Sequence, residues 1–118
     1  MTIIDKVDRQ IYLQEQLNPT LRALITPMSD SARSHVQRNL SMQASGGLAG
    51  LTVALKDNID IVGLRSTAGS AFFTDRIASS DATVTRRLRA SGAVLIGKLN
   101  LHEFAFGGTT QNPHYGSC

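Results

Sequence analysis

Two short apolar runs constrain this chain more than anything else in it. Leu51-Thr52-Val53-Ala54-Leu55 ends in Lys56, and Ala93-Val94-Leu95-Ile96-Gly97 ends in Lys98. Strands that face water on one side alternate apolar and polar residues, whereas an unbroken apolar run is buried on both faces. The second run follows a helical pattern closed by Ser91-Gly92. Helix, glycine and apolar strand in that order argue for an α/β fold with a parallel or mixed sheet covered by helices.

The covering helices are legible. Ile4, Val7 and Ile11, with Tyr12, Leu13 and Leu17 less regularly, predict a helix from Ile3 to Leu17. Asn18-Pro19 is expected to end it, because proline disfavours helical geometry in the residue before it. Leu21 to Ile25 is a short apolar piece stopped by Thr26-Pro27. A second helix starts at Ser29 or Asp30, carries Ala32, Val36 and Leu40 on one face with Met42 near its end, and stops at Ser45-Gly46-Gly47. Ile59 to Val62 could form a brief strand. A third helix, capped by Ser80 or Asp81, runs to Ala90 with Val84 and Leu88 inward and its arginines outward.

Composition narrows the function classes. The chain has 118 residues, a formal net charge of +3 and one cysteine, Cys118. Arg86, Arg87 and Arg89 read as a solvated helix face, and the aromatics do not interleave with basic residues, so no nucleic-acid partner is expected. One cysteine excludes an internal disulfide framework, and His35, His102 and His114 lack ligand-like spacing, so no metal is expected. No apolar run approaches membrane-spanning length. The N-terminus has no signal-peptide pattern, and the chain reads as cytoplasmic. It stops on Asn112-Pro113-His114-Tyr115-Gly116-Ser117-Cys118, a turn-forming stretch that reads as a cut.

Phosphate-cradling and nucleophile-elbow motifs are missing from the sequence: neither Gly46-Gly47 nor Gly107-Gly108-Thr109-Thr110 has the fixed glycine spacing those sites need. Lysine chemistry remains. Lys56 and Lys98 both stand at the C-terminal ends of predicted strands, and Lys98, Asn100 and Glu103 cluster just past the second, where open α/β sheets place ligands. If those strands are neighbours, the two ammonium groups could approach, which favours a neutral lysine able to deprotonate a hydroxyl. The hydroxyl candidates are Ser66, Thr67, Ser70, Thr109 and Thr110. Taken alone, the local pattern at Lys56 favours a lysine that leaves the core and solvates its ammonium, since lysines rarely stay buried unpaired.

The blocks Val53-Ala54-Leu55-Lys56-Asp57-Asn58-Ile59-Asp60, Ser66-Thr67-Ala68-Gly69-Ser70, Gly92-Ala93-Val94-Leu95-Ile96-Gly97-Lys98-Leu99-Asn100, Glu103-Phe104-Ala105 and Asn112-Pro113-His114-Tyr115-Gly116 occur in one order from Leu48 onward. This series resembles the N-terminal part of the amidase signature family. The resemblance implies the N-terminal part of an α/β/α sandwich with a mixed sheet, of which this chain supplies outer helices and two or three strands. Residues 1–118 would be one fragment of a single domain, with 1–47 as a variable helical segment and 48–118 as the family-matching α/β core. It also implies that Lys56 is the base of a Ser–cis-Ser–Lys triad, that Gly107 and Gly108 line the substrate pocket, and that no cofactor is needed.

The sequence departs from the family's pattern at one point. The bridging serine belongs to a Gly-Gly-Ser-Ser-Gly-Gly-type stretch and the nucleophile to a Gly-Gly-Ser-Ile-Arg-type stretch, and this sequence contains neither. The expected function is therefore that of an amidase cleaving a carboxamide C–N bond, with the chain alone inactive. The A-type subunit of a glutamine amidotransferase, releasing ammonia from glutamine, is the variant within the family. A stand-alone binding domain or complementing subunit is the alternative outside it. Expected partners are a small-molecule amide and either a second copy or a C-terminal piece, with no membrane.

Overall fold

Strand β3 (Val94–Leu99) is the centre of a three-stranded sheet among the described residues, with β1 (Leu24–Pro27) on one side and β2 (Thr52–Lys56) on the other. The structure, a computed structural model, describes residues 1–39 and 46–118. β1 pairs with β3 antiparallel and β2 pairs with it parallel, so the sheet is mixed, as the apolar runs predict. Helices α1 (Ile3–Leu21), α2 (Ser29–Asn39) and α3 (Thr83–Ala90) accompany it. One sheet face carries Val94 and Ile96 against Val7 and Ile11 of α1 and Ala32 and Val36 of α2. The other carries Leu95, Leu55 and Val53 against Ile61 and Leu88. Among the described residues no helix is long and apolar enough to cross a membrane.

Several local expectations are corrected. α1 does not stop at Asn18-Pro19 but runs through Pro19 to Leu21. Its proline costs one helical hydrogen bond on an exposed turn, and Asn18 compensates: its side chain accepts from Leu24 N at 2.7 Å and donates to Leu24 O at 3.0 Å. The piece before Thr26-Pro27 belongs to a strand, β1, whose proline is tolerated because β1 is an edge. Ile59 to Val62 is no strand. Ile59 N bonds back to Lys56 O at 2.8 Å, and Asp60 O accepts from Ala82 N at 3.0 Å and Thr85 Oγ1 at 2.7 Å, so these backbone groups serve a turn and the start of α3. The third helix begins at Thr83 without a side-chain cap. Thr85, not Val84, is its buried residue, because the Thr85 hydroxyl docks on Asp60; Val84 is 43% exposed. Arg89 turns onto Asp81 at 3.1 Å instead of pointing outward. Leu40, Met42 and Ser45 lie outside the described residues.

A β-bulge on β3 decides which way the two lysines face. Val53 pairs with Leu95, but the next residue of β2, Ala54, pairs with Gly97, so Ile96 is the extra residue. The bulge shifts the alternation by one. Leu55 and Lys98 then face the side of Leu95, and Lys56 and Leu99 face the side of Ile96. The approach of the two ammonium groups expected from the sequence does not occur, because they leave the sheet on opposite faces. Gly97 permits the bulge to pack: a Cβ there would lie 2.8 Å from Leu24 Cδ2 and 3.1 Å from Thr26 O.

Lys98 is buried completely, and its ammonium lies 2.8 Å from Asp57 Oδ1, itself on a fully buried residue. The ammonium also donates to Arg65 O at 3.1 Å and to Ser66 Oγ at 3.4 Å, while its contact with Asp57 Oδ1 is an ion pair without hydrogen-bond geometry. The other Asp57 oxygen accepts from Thr67 N at 3.0 Å and from the Thr67 hydroxyl. A buried pair of this kind is strongly destabilising to break by removing one partner, and nearly neutral to replace as a pair. Lys98→Met should therefore cost about 3–5 kcal/mol in urea unfolding, against the ~5–15 kcal/mol of a typical domain. Lys98→Met/Asp57→Asn should cost clearly less than Lys98→Met alone; equal costs would contradict the pairing.

A second ion pair gives a pH dependence. Arg76 donates to both oxygens of Asp60 at 2.8 Å each, tying the loop after β2 to residue 76. Hydrogen bonding from Arg76, against some burial, lowers the Asp60 pKa from 3.8 to about 2. The folded value lies below the unfolded one, so this stabilisation is full above 3.8 and is lost as pH falls through about 2. Urea midpoints should fall more steeply across that interval for the wild type than for Asp60→Asn; parallel curves would refute the assignment.

Candidate active site

Lys56 closes β2 and Asn100 follows β3, so both sit at the carboxyl ends of adjacent parallel strands. The Lys56 side chain is exposed and lines a cavity of about 580 Å³ together with Asn100, Leu101, His102, Gly107, Gly108, Thr109 and Thr110. The sequence-predicted residues Lys56, Gly107 and Gly108 are thus brought to one cavity. Lys98 is not among them, for the reason given by the bulge.

The two glycines differ in use. A Cβ at Gly107 would strike the His102 ring, 2.5 Å from Cδ2 and 2.6 Å from Nε2, so this glycine lets the imidazole pack against the loop. Gly108 has nothing within 4 Å of a Cβ position and faces open space. Just before them, Phe104 and Ala105 both hold a φ of 56°, a left-handed conformation rare for side-chain-bearing residues. Phe104 N donates to Ala68 O at 2.8 Å and Ala105 N to His102 O at 2.8 Å, which hold this turn at the cavity's edge. The Phe104 ring meets Phe73 edge-on at a centroid distance of 6.0 Å.

The five hydroxyl candidates separate into two groups. Thr109 and Thr110 share the cavity with Lys56. Ser66, Thr67 and Ser70 are buried and committed elsewhere: the first two bond to Asp57 and Lys98, and Ser70 Oγ donates to Glu103 Oε1 at 2.7 Å. Glu103 also meets His114 Nε2 at 2.9 Å. The Ser70 hydroxyl, and after it His114, hold the Glu103 carboxyl below its ordinary range. Two asparagines fix the cavity's frame: Asn100, which the sequence places with Lys98 and Glu103 past the end of β3, and Asn112, which opens the last of the ordered blocks. Asn112 donates to Gly69 O at 2.6 Å and Leu101 O at 2.8 Å, and accepts from His114 N and Tyr115 N at 2.8 and 2.9 Å. Asn100 donates to Arg22 O and Gly116 O, so its amide is structural although it borders the cavity. Their hydrogen-bonding roles leave no sequence signal beyond the tendency of asparagines to organise turns.

Among the described residues no group of three or more His, Cys, Asp or Glu side chains could hold a metal ion. The cavity instead offers one amine, two hydroxyls, an imidazole and open glycine backbone. That set suits proton transfer to and from a carbonyl substrate more than redox or phosphoryl chemistry.

The amidase family model matches residues 9–118. The A-type subunit of glutamyl-tRNA(Gln) amidotransferase from Synechococcus sp. (strain CC9605) is 37% identical over 115 residues, covering 94% of this chain and 23% of that protein. Its counterpart from Sulfolobus acidocaldarius is 37% identical over 117 residues, covering 98% of this chain and 24% of its own. The chain therefore spans about a quarter of the length of the curated relatives it matches. Among solved structures, 6-aminohexanoate cyclic dimer hydrolase complexed with substrate superposes with a TM-score of 0.88 at 28% identity, over 99% of this chain and 24% of that one. A bacterial aryl acylamidase of the amidase signature family gives 0.85 at 27% identity, over 98% and 25%. The α/β fold with its mixed sheet, the ordered blocks from Leu48 onward and these matches agree: the chain belongs to the amidase signature family.

Proposed function

We propose that Lys56 is the catalytic base of an amide-hydrolysing site, and that this chain is the lysine-bearing portion of a single amidase domain. Residues 1–47 are its helical segment and 48–118 its α/β core. The observation that carries the reading is the emergence of Lys56 at a strand's carboxyl end into a cavity walled by Gly107 and Gly108. In the completed site Lys56 takes a proton through a bridging serine. The nucleophilic serine then attacks the carboxamide carbon, backbone N–H groups stabilise the oxyanion, and the proton returns to the leaving amine. Water hydrolyses the resulting acyl-enzyme. No metal or organic cofactor is required by these steps, and the use of a single cysteine suits a cytoplasmic setting.

The two serines must come from polypeptide outside these residues, as a continuation or as a separate C-terminal piece. Support for such a partner lies on the sheet face of Ile96. Leu13, Leu17 and Leu21 of α1 are 38, 50 and 49% exposed beside Ala54, Ile96 and Leu99, and they border an open apolar groove. Within this reading a glutamine-hydrolysing amidotransferase component is favoured by the names of the curated relatives. A stand-alone binding role is the competing reading.

The test joins residues 1–118 to the unmatched remainder of the Synechococcus relative and assays glutamine and simple aliphatic and aromatic amides. The fusion should turn over amide, and Lys56→Ala should lower the rate by about 10⁴-fold, as loss of a triad member does in serine hydrolases. The 118-residue chain alone should be inactive. Turnover by the chain alone that is lost in Lys56→Ala would make Thr109 or Thr110 the nucleophile. Undiminished turnover in the Lys56→Ala fusion would overturn the base.

A further inference from the structure

We propose that the buried Asp57–Lys98 pair is a positioning device for Lys56, fixing the direction in which that side chain leaves β2 and hence its place in the cavity. The inference rests on Lys56 being the base. Among the described residues the Lys56 ammonium has no hydrogen-bonding or ionic partner, so its side chain is aimed by its backbone. That backbone is held through its neighbour. Asp57 N donates to Leu99 O at 3.0 Å, Asp57 O accepts from Ala68 N at 3.0 Å, and Lys56 O accepts from Ile59 N at 2.8 Å. The Asp57 carboxylate, on the side of the strand away from the cavity, is gripped by Lys98 at 2.8 Å and by Thr67.

Burying two charges is a poor way to gain stability, since an apolar pair of similar shape does as well; the best-attested use of such groups is to specify register. Register is what Lys56 needs. A slip of β2 against β3 by one residue sends every side chain of β2 to the other face, and Lys56 with them. Leu55 lies opposite Lys98 in the observed register, which brings Asp57 within reach of the ammonium. The bulge at Ile96 makes this arrangement possible by sending Lys98 to the buried face while Lys56 keeps the open one. The pair therefore acts on the reaction through Lys56 and touches no substrate.

The test uses the 118-residue chain and a readout that global stability does not move. Wild type, Asp57→Asn/Lys98→Met and Thr67→Val are compared under conditions where circular dichroism shows each folded. Backbone ¹⁵N order parameters at Lys56 and Asn58 should be about 0.85 in wild type and fall below about 0.6 in the variants, while those of β3 and α1 stay high. Nuclear Overhauser contacts from ¹³C-methylated Lys56 to Gly107 and Gly108 should be lost with them. Wild-type order parameters and contacts in the folded variants would overturn the proposal. If the double variant does not fold, Thr67→Val decides: it loosens the grip on Asp57 by removing the hydroxyl that bonds its carboxylate. Because that hydroxyl also accepts from Gly69 N at 3.1 Å, the order parameter of Gly69 is read beside that of Lys56, a fall at Gly69 with wild-type values at Lys56 overturning the proposal. Failure of Lys56 as base shows separately, as undiminished amide turnover in the Lys56→Ala fusion, and leaves these order parameters unchanged.

Discussion

The ion pair between Lys98 and Asp57 is the contact on which the rest of this structure depends. It joins the central strand to the turn after β2 and, through Thr67 and Ser66, to the small-residue loop that follows. Two hydrogen bonds and one ion pair surround the ammonium, and a buried lysine is tolerated when it is paired in this way. Asn112 then fastens the C-terminal loop to the same region through Gly69 and Leu101. Three segments far apart in sequence thus converge at the carboxyl ends of β2 and β3.

That convergence separates two lysines that look equivalent along the chain. One is enclosed and paired with Asp57, and serves structure. The other emerges on the opposite face, has no partner among the described residues, and borders open space beside two glycines and two threonines. A single extra residue in β3 produces the difference, with Gly97 as the small residue that lets β1 pack over it. Chemistry at Lys56 is proposed on this basis, and so is the docking of further polypeptide on the apolar groove beside α1.

Much of this was legible in the sequence. The two apolar runs, the first interrupted only by Thr52, mark β2 and β3, with Val94 and Leu95 buried on opposite faces of the sheet. Gly107 and Gly108 come to the same cavity as Lys56, in keeping with the ordered blocks. What was not legible is geometric. A bulge leaves no compositional trace, so the local pattern at Lys98 could not be told from that at Lys56, and only the family resemblance separated the two. β1 was hidden by its four-residue length and by Pro27, which only an edge strand tolerates. Pro19 misplaced the end of α1, because the Asn18 side chain that compensates for it is a tertiary contact. Thr85 replaced Val84 as the inward residue of α3 because a hydroxyl docking on Asp60 O outweighed apolar periodicity.

Lysine labelling tests the division of roles most directly. The sequence contains three lysines, Lys6, Lys56 and Lys98. Treating the native chain with an amine-reactive reagent and locating the adducts by mass spectrometry should find Lys6 and Lys56 modified and Lys98 unmodified until the protein is unfolded. Modification of native Lys98 at the rate of Lys6, or protection of Lys56, would contradict the account.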